Sequence, residues 1–220
     1  MSKNKIGKNI LSSNDRVLKS YSYVEIHRIR EKVVAFLQEQ DKKTVLITGA
    51  HDNCGNTFLV SALGLNAASY TSMRVLLMDL NMRQPQLHIP FGLKLSTGFS
   101  EFASGSLDWK ETIKNTGLSG LKVMTAGRAG TDLSHFLKPS LVENLTREMK
   151  EYFDLIFIDS SPVLLDNKNN VDPALLSLIC DMSILVIQHK KTTKFDLKNA
   201  VNTITQGGGK ISGIVYNRND

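Results

Sequence analysis

Six short apolar runs alternate along the chain with segments of helical periodicity, and this alternation limits the fold more than any other feature. Each run is continuously apolar, which is typical of strands buried on both faces of a parallel sheet. The predicted strands span residues 44–48, 74–79, 121–125, 154–159, 183–187 and 211–216, and the predicted helices span residues 26–40, 57–70, 138–152 and 195–205. The pattern therefore predicts an α/β fold with a mainly parallel, doubly wound sheet flanked by helices.

The apolar content is sufficient for one core of this kind. The chain has 220 residues, of which 41% are hydrophobic and 22% are charged, and this composition is typical of one globular domain. The sequence shows no internal repeat, no low-complexity linker and no second domain. We therefore predict a single domain over residues 21–220, preceded by a basic, flexible tail over residues 1–20.

The predicted tail contributes to a net charge of +6 for the whole chain. The tail has one acidic residue, Asp15, and five basic residues, which are Lys3, Lys5, Lys8, Arg16 and Lys19. Such a segment is typically solvated and frayed at a chain terminus, although its charge also suits nucleic acid or an anionic membrane surface. Because the chain has no recognition-helix signature and no Cys/His cluster with zinc spacing, we expect no specific nucleic-acid role.

Cysteine content and the length of the apolar runs predict the compartment. Only Cys54 and Cys180 are present, which argues against a secreted disulfide scaffold. The longest uncharged apolar runs, such as residues 75–78 and 155–158, are too short to cross a bilayer. No signal-peptide segment follows Met1. We therefore expect a cytoplasmic protein.

The segment between the first predicted strand and the next helix has the position of a phosphate-binding loop. Such a loop wraps backbone N–H groups around phosphates at a helix N-terminus, a lysine carries charge to the outer phosphates, and the following Ser or Thr binds Mg²⁺. Gly49 and Gly55 flank the loop here and Thr57 has the metal-binding position, but Asn56 stands in place of the lysine. Taken alone, the segment is equally consistent with an ordinary strand-to-helix turn.

Two acids favour the interpretation as a nucleotide site. Asp79 ends the second predicted strand and Asp159 ends the fourth. A single acid after a strand is usually a helix cap or a turn former. The carboxyl ends of parallel strands, however, meet at one edge of the sheet, where ligands bind in folds of this class. Two acids beside a phosphate-binding loop form the arrangement that a magnesium-nucleotide complex requires.

From about residue 21 to residue 220, the sequence resembles the bacterial tyrosine kinases of capsule and exopolysaccharide assembly, relatives of the cell-division and partition ATPases with a P-loop NTPase fold. Asp159 and Pro162 match the family's third motif, and Asn217 matches an asparagine that contacts adenine. Glu25 and Arg28 resemble the start of the ExxRxxR helix through which these kinases form rings. The family's second motif, DxDxRxPxLHxxFG, is matched by Asp79, Arg83, Pro85, Leu87, His88, Phe91 and Gly92.

The resemblance implies a cofactor, partners and a set of site residues. It implies that Asp79 and Arg83 are catalytic, that Asp159 and Thr57 hold Mg²⁺, and that ATP or ADP is bound by Gly49, Gly55, Asn56, Thr57 and Asn217. Because the family kinases are switched by a transmembrane polysaccharide co-polymerase, the chain-length determinant, it also implies a location at the inner-membrane periphery through that partner. It further implies a homo-oligomer or a hetero-oligomer with an active kinase.

The chain departs from the family at positions that carry the chemistry. Asn56 replaces the loop lysine, Asn81 replaces the second acid of the second motif, and Asp52 and Asn53 replace the loop's Pro-Gly. Tyr216 is the only tyrosine beyond residue 152, whereas the family has a C-terminal tyrosine cluster that becomes autophosphorylated. Losing one preorganised charged donor commonly costs about 10²–10³ in rate, and an asparagine does not replace a point charge.

Three hypotheses about function remain. The preferred one is a degenerate kinase-like protein that regulates capsular or exopolysaccharide synthesis or export, with weak or no phosphoryl transfer. The second is an active ATP-binding tyrosine kinase or ATPase with a divergent loop, and the third is a nucleotide-free scaffold. Retention of Thr57, Asp79 and Asp159 favours the first over the third. Loss of the lysine and of the tyrosine cluster favours the first over the second.

Overall fold

One sheet runs through the part of the chain that the computed structural model describes, which comprises residues 19–20, 22–39, 42–128, 138–165 and 170–218. Within those residues the sheet has seven strands in the order β3-β4-β2-β5-β1-β6-β7. Every neighbouring pair is parallel except β3 and β4, which are antiparallel. The predicted mainly parallel α/β fold is confirmed. The predicted basic tail lies outside the described residues apart from Lys19 and Ser20.

The strands and helices alternate as the sequence pattern indicates. The strands are β1 (Thr44–Gly49), β2 (Val75–Asp79), β3 (Ile113–Asn115), β4 (Leu121–Met124), β5 (Leu155–Asp159), β6 (Met182–Gln188) and β7 (Gly213–Asn217). The helices are α1 (Val24–Gln38), α2 (Asn56–Tyr70), α3 (Phe99–Ala103), α4 (Trp109–Thr112), α5 (Pro139–Met149), α6 (Pro173–Ile179) and α7 (Lys194–Gln206).

The sheet separates two apolar cores. Alternate residues of β1 show the division, because Val45 and Ile47 pack in one core while Leu46 packs in the other. The first core includes residues of α1 and α2, and the second includes residues of α3 to α6. Helix α2 packs on β1, β2 and β5 and also against α1, which explains why its Ala- and Leu-rich surface is apolar nearly all round.

The short elements between β2 and β4 were not predicted. Strand β3 and helices α3 and α4 span five residues or fewer each, too few for periodicity to indicate them. Trp109, the first residue of α4, is 4% exposed and belongs to the second core. Its ring packs edge-on against that of Tyr152, with the centroids 5.3 Å apart, so its burial depends on a residue distant in the chain.

No helix among the described residues is both long enough and apolar enough to cross a membrane.

Candidate functional site

The carboxyl ends of three adjacent strands converge at one edge of the sheet. β1 ends at Gly49, β2 at Asp79 and β5 at Asp159, and these strands are neighbours in the order β2-β5-β1. Asp79 and Asp159 are paired in the register of β2 and β5. The loop over residues 50–55 leaves β1 at this edge and leads directly into α2. The topology therefore brings the two predicted acids and the predicted phosphate-binding loop together.

The loop is held from both sides. Gly55 precedes α2 with a φ of 95°, a left-handed conformation that residues with a Cβ rarely adopt. The Asn217 side-chain amide, from β7, donates a hydrogen bond to the backbone oxygen of Cys54 at 2.9 Å, and it occupies the space that a Cβ at Gly55 would enter. A Cβ at Gly49 would also be tightly packed, 3.0 Å from the oxygen of His51. Both glycines therefore permit close approach within the loop.

Asn56 contacts Asp159 instead of projecting freely from the loop. Its Nδ2 donates to Oδ1 of Asp159 at 2.7 Å and to the backbone oxygen of Ser160 at 3.0 Å. The Thr57 hydroxyl donates to Oδ2 of Asp159 at 2.6 Å. Asn56 is 6% exposed and Asp159 is fully buried. The first two residues of α2 thus satisfy both oxygens of the β5 acid with neutral donors.

Asp79 is held by the backbone that follows β2. The N–H of Asn81 donates to its Oδ1 at 3.1 Å, and the N–H of Leu87 donates to its Oδ2 at 3.1 Å. These bonds curl residues 80–87 around the carboxyl group. Asn81, at the position of the family's second acid, accepts a hydrogen bond from the Gln84 N–H through its own side-chain oxygen at 3.2 Å. Asn81 therefore stabilises the turn after β2.

Burial dominates the electrostatics of the two acids. It raises the pKa of Asp79 well above its usual range, and the charge of Asp159 raises it further, although the Leu87 and Asn81 N–H groups oppose the change. Burial likewise raises the pKa of Asp159 to about 7, against the hydrogen bonds from Thr57 and Asn56. Two adjacent buried carboxyl groups disfavour double ionisation. The pair therefore retains a proton near neutral pH.

Arg83 forms an ion pair with the loop acid. Its Nη2 lies 2.9 Å from Oδ2 of Asp52, and its backbone N–H donates to the Asn170 side-chain oxygen at 3.2 Å. The same oxygen accepts a bond from the Met82 N–H at 2.6 Å. Sequence reasoning did not identify Asn170, because it lies 87 residues from Arg83 in the chain and in none of the motifs described above. Asn170 positions the segment that carries Arg83.

A small cavity, here called the loop cavity, opens beside these groups with a volume of about 170 Å³. Three of the predicted site residues line it, namely Gly55, Asn56 and Thr57. The other predicted site residues do not, namely Gly49, Asp79, Arg83, Asp159 and Asn217. Other residues of its wall are Asp52, Asn53, Phe58, Asn81, Gln84, Gln86 and Pro162. Sequence reasoning did not identify Gln84 and Gln86 as wall residues, because glutamine in a turn is not by itself a sign of ligand binding.

The residues of the loop cavity fit one part of a magnesium-nucleotide complex better than the other. The Thr57 hydroxyl of the wall contacts the carboxylate of Asp159, which is fully buried and not part of the wall. Both groups are hard oxygen donors, as Mg²⁺ requires, so these two residues would hold the ion. Among the described residues, the wall offers a polyphosphate no cation, because Asn56 is neutral and the Asp52 carboxylate is paired with Arg83, which lies outside the wall. The metal position fits, but the phosphate position lacks a positive charge.

No protein-family model matches the chain, but individual relatives do. The chain is 28% identical over 191 residues to the putative tyrosine-protein kinase CapB of Staphylococcus aureus, covering 86% of this chain and 81% of CapB. It is 24% identical over 192 residues to the tyrosine-protein kinase etk of Escherichia coli, covering 87% of this chain and 26% of etk. It thus spans most of CapB but about a quarter of etk.

Solved structures agree on the fold. The kinase domain of the Escherichia coli tyrosine kinase ETK superposes with a TM-score of 0.80 at 24% identity, covering 87% of this chain and 73% of that domain. The septum site-determining protein MinD of Pyrococcus horikoshii, solved with Mg-ADP, superposes with a TM-score of 0.65 at 17% identity, covering 80% and 70%. The chain is therefore a relative of proteins named as bacterial tyrosine kinases, with the fold that the ETK kinase domain shares with MinD.

Proposed function

We propose that this protein is a degenerate tyrosine-kinase-like regulator of capsular or exopolysaccharide synthesis or export. It binds ATP or ADP with Mg²⁺ weakly, and its phosphoryl transfer is weak or absent. The relatives named as tyrosine kinases support the kinase-like part of the proposal, and the resemblance to the capsule kinases supports the polysaccharide part. The altered phosphate-binding loop supports the loss of activity.

The state of Asn56 carries the proposal. At the position where the resemblance implies a lysine, the side chain is neutral, nearly buried and bonded to Asp159 and Ser160. A lysine there would supply a charge-assisted contact to a phosphate, and such contacts are about twice as strong as neutral ones. The asparagine instead binds the acid that would hold the metal.

The two other candidate catalytic residues are in states that support the same conclusion. Arg83 is paired with Asp52, so a nucleotide phosphate would compete with a carboxylate for the guanidinium group. Both oxygens of Asp79 accept hydrogen bonds from backbone N–H groups, those of Asn81 and Leu87, so its carboxyl group is already engaged by the turn after β2. Both effects weaken binding of a negatively charged nucleotide with its metal.

The proposed partner is a transmembrane polysaccharide co-polymerase, as the resemblance to the capsule kinases implies. Through this partner the protein would lie at the periphery of the inner membrane. The proposal includes assembly into a homo-oligomer, or into a hetero-oligomer with an active kinase that has the loop lysine replaced here by Asn56. Glu25 and Arg28, in α1, resemble the family's ring-forming helix and are both exposed.

Calorimetry with Mg-ATP and Mg-ADP on the purified protein tests the nucleotide part. We expect weak binding, with a Kd above about 10 µM, since at least one charge-assisted contact is missing. No binding at millimolar nucleotide contradicts the proposal and favours a nucleotide-free scaffold. A phosphotyrosine blot after incubation with Mg-ATP separates the remaining hypotheses, because strong autophosphorylation contradicts the degenerate state.

An active kinase or ATPase is the second candidate, and the contact between Thr57 and Asp159 favours it. This pair keeps the oxygen donors that a Mg²⁺ ion requires, at 2.6 Å from each other. Activity would then need a cation from elsewhere, such as Arg83 released from Asp52. The variant Asp52→Asn tests this candidate, because freeing Arg83 should raise ATP hydrolysis if a latent active site exists. An unchanged rate argues against it.

A further inference from the structure

A larger cavity lies at the end of the sheet opposite to the loop cavity. Its volume is about 470 Å³, within the range of about 300–1,000 Å³ that is typical of small-ligand sites. Its wall includes the first residues of β6, whereas the phosphate-binding loop follows Gly49, which pairs with Val186 towards the other end of β6. We call it the basal cavity. It shares no lining residue with the loop cavity.

An unsatisfied hydroxyl group lies in the wall of the basal cavity. Ser183 is 2% exposed, and its Oγ makes no hydrogen bond to any residue that the structure describes. The backbone of Ser183 is fully engaged with the neighbouring turn, since its N–H donates to Oγ of Ser212 at 3.3 Å and its oxygen accepts from the Ser212 N–H at 2.8 Å. A buried hydroxyl without a partner is costly and indicates a missing donor or acceptor.

The charged groups of the wall favour an anion. Lys42, Lys210 and Asp181 line the cavity. The Asp181 carboxylate is already neutralised, because the Lys150 ammonium group lies 2.8 Å from its Oδ2 and the Thr44 hydroxyl donates to the same atom at 2.6 Å. Lys42 and Lys210 are both cations, so the wall has more basic than acidic residues. Lysine ammonium groups are common phosphate ligands in proteins.

The other residues of the wall suit a ligand whose non-phosphate part carries both hydroxyl and C–H groups. Ser177, Ser183 and Ser212 present hydroxyl groups, while Phe36 and Met182 contribute apolar surface. We propose that the basal cavity binds a small phosphorylated polyol of the sugar-phosphate class. Lys42 and Lys210 contact its phosphate, and its hydroxyl groups satisfy Oγ of Ser183. The proposal does not depend on the function proposed for the loop cavity.

Calorimetry of the full chain with glucose 6-phosphate tests the ligand class. We expect glucose 6-phosphate to bind at least about tenfold more tightly than inorganic phosphate or glucose alone, because it engages both the lysines and the serines. Inorganic phosphate binding as tightly as glucose 6-phosphate overturns the polyol part of the proposal. Absence of glucose 6-phosphate binding at millimolar concentration overturns the proposal altogether, whatever the result with Mg-ATP.

Two variants test the site itself. Lys210→Gln should weaken glucose 6-phosphate binding about tenfold, whereas Lys198→Gln, which removes an exposed lysine of α7 outside the cavity wall, should leave it unchanged. Ser183→Ala should weaken binding while raising the Tm of the free protein, because it removes an unsatisfied buried hydroxyl. Unchanged binding by either Lys210→Gln or Ser183→Ala overturns the assignment.

Discussion

At the scale of single residues, Asn56 and Thr57 illustrate how neutral donors stabilise a buried carboxyl group. The Asn56 amide and the Thr57 hydroxyl donate to the two oxygens of Asp159, so both oxygens of this carboxyl group are hydrogen-bonded. A buried polar group without such partners would cost about 1–3 kcal/mol. The same bonds hold Asn56 away from the position where a phosphate would need a cation.

Substitution Asn56→Lys should increase affinity for Mg-ADP about ten- to hundred-fold, because it adds one charge-assisted contact. The ammonium group also compensates the buried Asp159 carboxylate, so the protein should remain folded. Calorimetry measures the change. Asn202→Lys, which adds the same charge at an exposed position of α7, serves as the control and should change affinity little. Equal affinities of Asn56→Lys and wild type would show that the lysine position is not the limiting defect.

The acid pair of β2 and β5 should make stability depend on pH. Both folded-state pKa values are raised, that of Asp159 to about 7 from 3.8, so the folded state binds more protons than the unfolded state above pH 3.8. The contribution of this pair to the free energy of unfolding should therefore be greatest at acidic pH and fall as the pH rises through about 7. Urea denaturation at about pH 5 and about pH 8 measures this change.

Substitution Asp79→Asn should reduce this pH dependence, because it removes one of the two coupled carboxyl groups. The difference in unfolding free energy between about pH 5 and about pH 8 should shrink, whatever the absolute stability of the variant. Asp154→Asn is the matched control. The hydrogen bond from Arg74 lowers the pKa of Asp154, so this acid is ionised throughout the range. If the difference in unfolding free energy between the two pH values is the same in Asp79→Asn as in the wild type, Asp79 does not take part in the proton uptake of the pair.

At the scale of elements, the loop over residues 50–55 depends on β7, the last strand that the structure describes. Asn217 bonds to the loop oxygen of Cys54, which spans 163 positions of sequence, and packs where Gly55 lacks a side chain. The loop geometry is thus fixed by a strand at the edge of the sheet as well as by α2. The positive φ of Gly55 is a local reason for a glycine at this position. The close approach of the Asn217 side chain to Gly55 depends instead on the position of β7 in the sheet.

Substitution Gly55→Ala should lower the free energy of unfolding by more than the roughly 1–3 kcal/mol expected from backbone strain, because the new Cβ meets the Asn217 amide. Gly92→Ala is the matched control, since Gly92 also has a positive φ of 61° but no atom within 4 Å of its ideal Cβ. Urea denaturation compares the two. The loss from Gly55→Ala should be smaller in an Asn217→Ala background, and equal losses for the two glycines would contradict the steric explanation.

At the scale of the whole molecule, Asp181 ties the amino ends of two central strands together. Its Oδ2 accepts hydrogen bonds from the N–H groups of Lys43 and Thr44 and pairs with Lys150 from the end of α5. Burial opposes its ionisation, but the bonds from Lys150, Thr44 and Lys43 outweigh burial and lower the pKa of Asp181 to about 2. The cluster joins β1, β6 and α5 at the end of the sheet opposite to the loop cavity.

Substitution Asp181→Asn should lower the free energy of unfolding by about 1.5–3 kcal/mol at neutral pH, as expected for hydrogen bonds to a charged group. Because the folded pKa is depressed, the stabilisation is present above pH 3.8 and should disappear as the pH falls through about 2. A double-mutant cycle with Lys150→Gln, followed by urea denaturation, isolates the ion pair. A coupling energy near zero would show that the backbone bonds alone stabilise this junction.

The sequence by itself determined the sheet and the position of the candidate site. Continuously apolar runs occur where strands are covered on both faces, and the acids Asp79 and Asp159 meet because parallel strands end at one edge. These features depend on local pattern and on topology, which the order of the elements already restricts. Six of the seven strands that the structure describes lie within two residues of their predicted bounds, and only β3 was not predicted.

Only the tertiary structure decided how the site residues are used. That Asn56 binds Asp159, that Asp52 pairs with Arg83 and that Asn170 supports the Arg83 segment are contacts across 31 to 103 positions of sequence. Such contacts depend on the packing of distant elements, and no periodicity encodes them. The raised pKa of Asp79 has the same origin, since burial and the neighbouring charge arise only when β2 and β5 pair within the sheet.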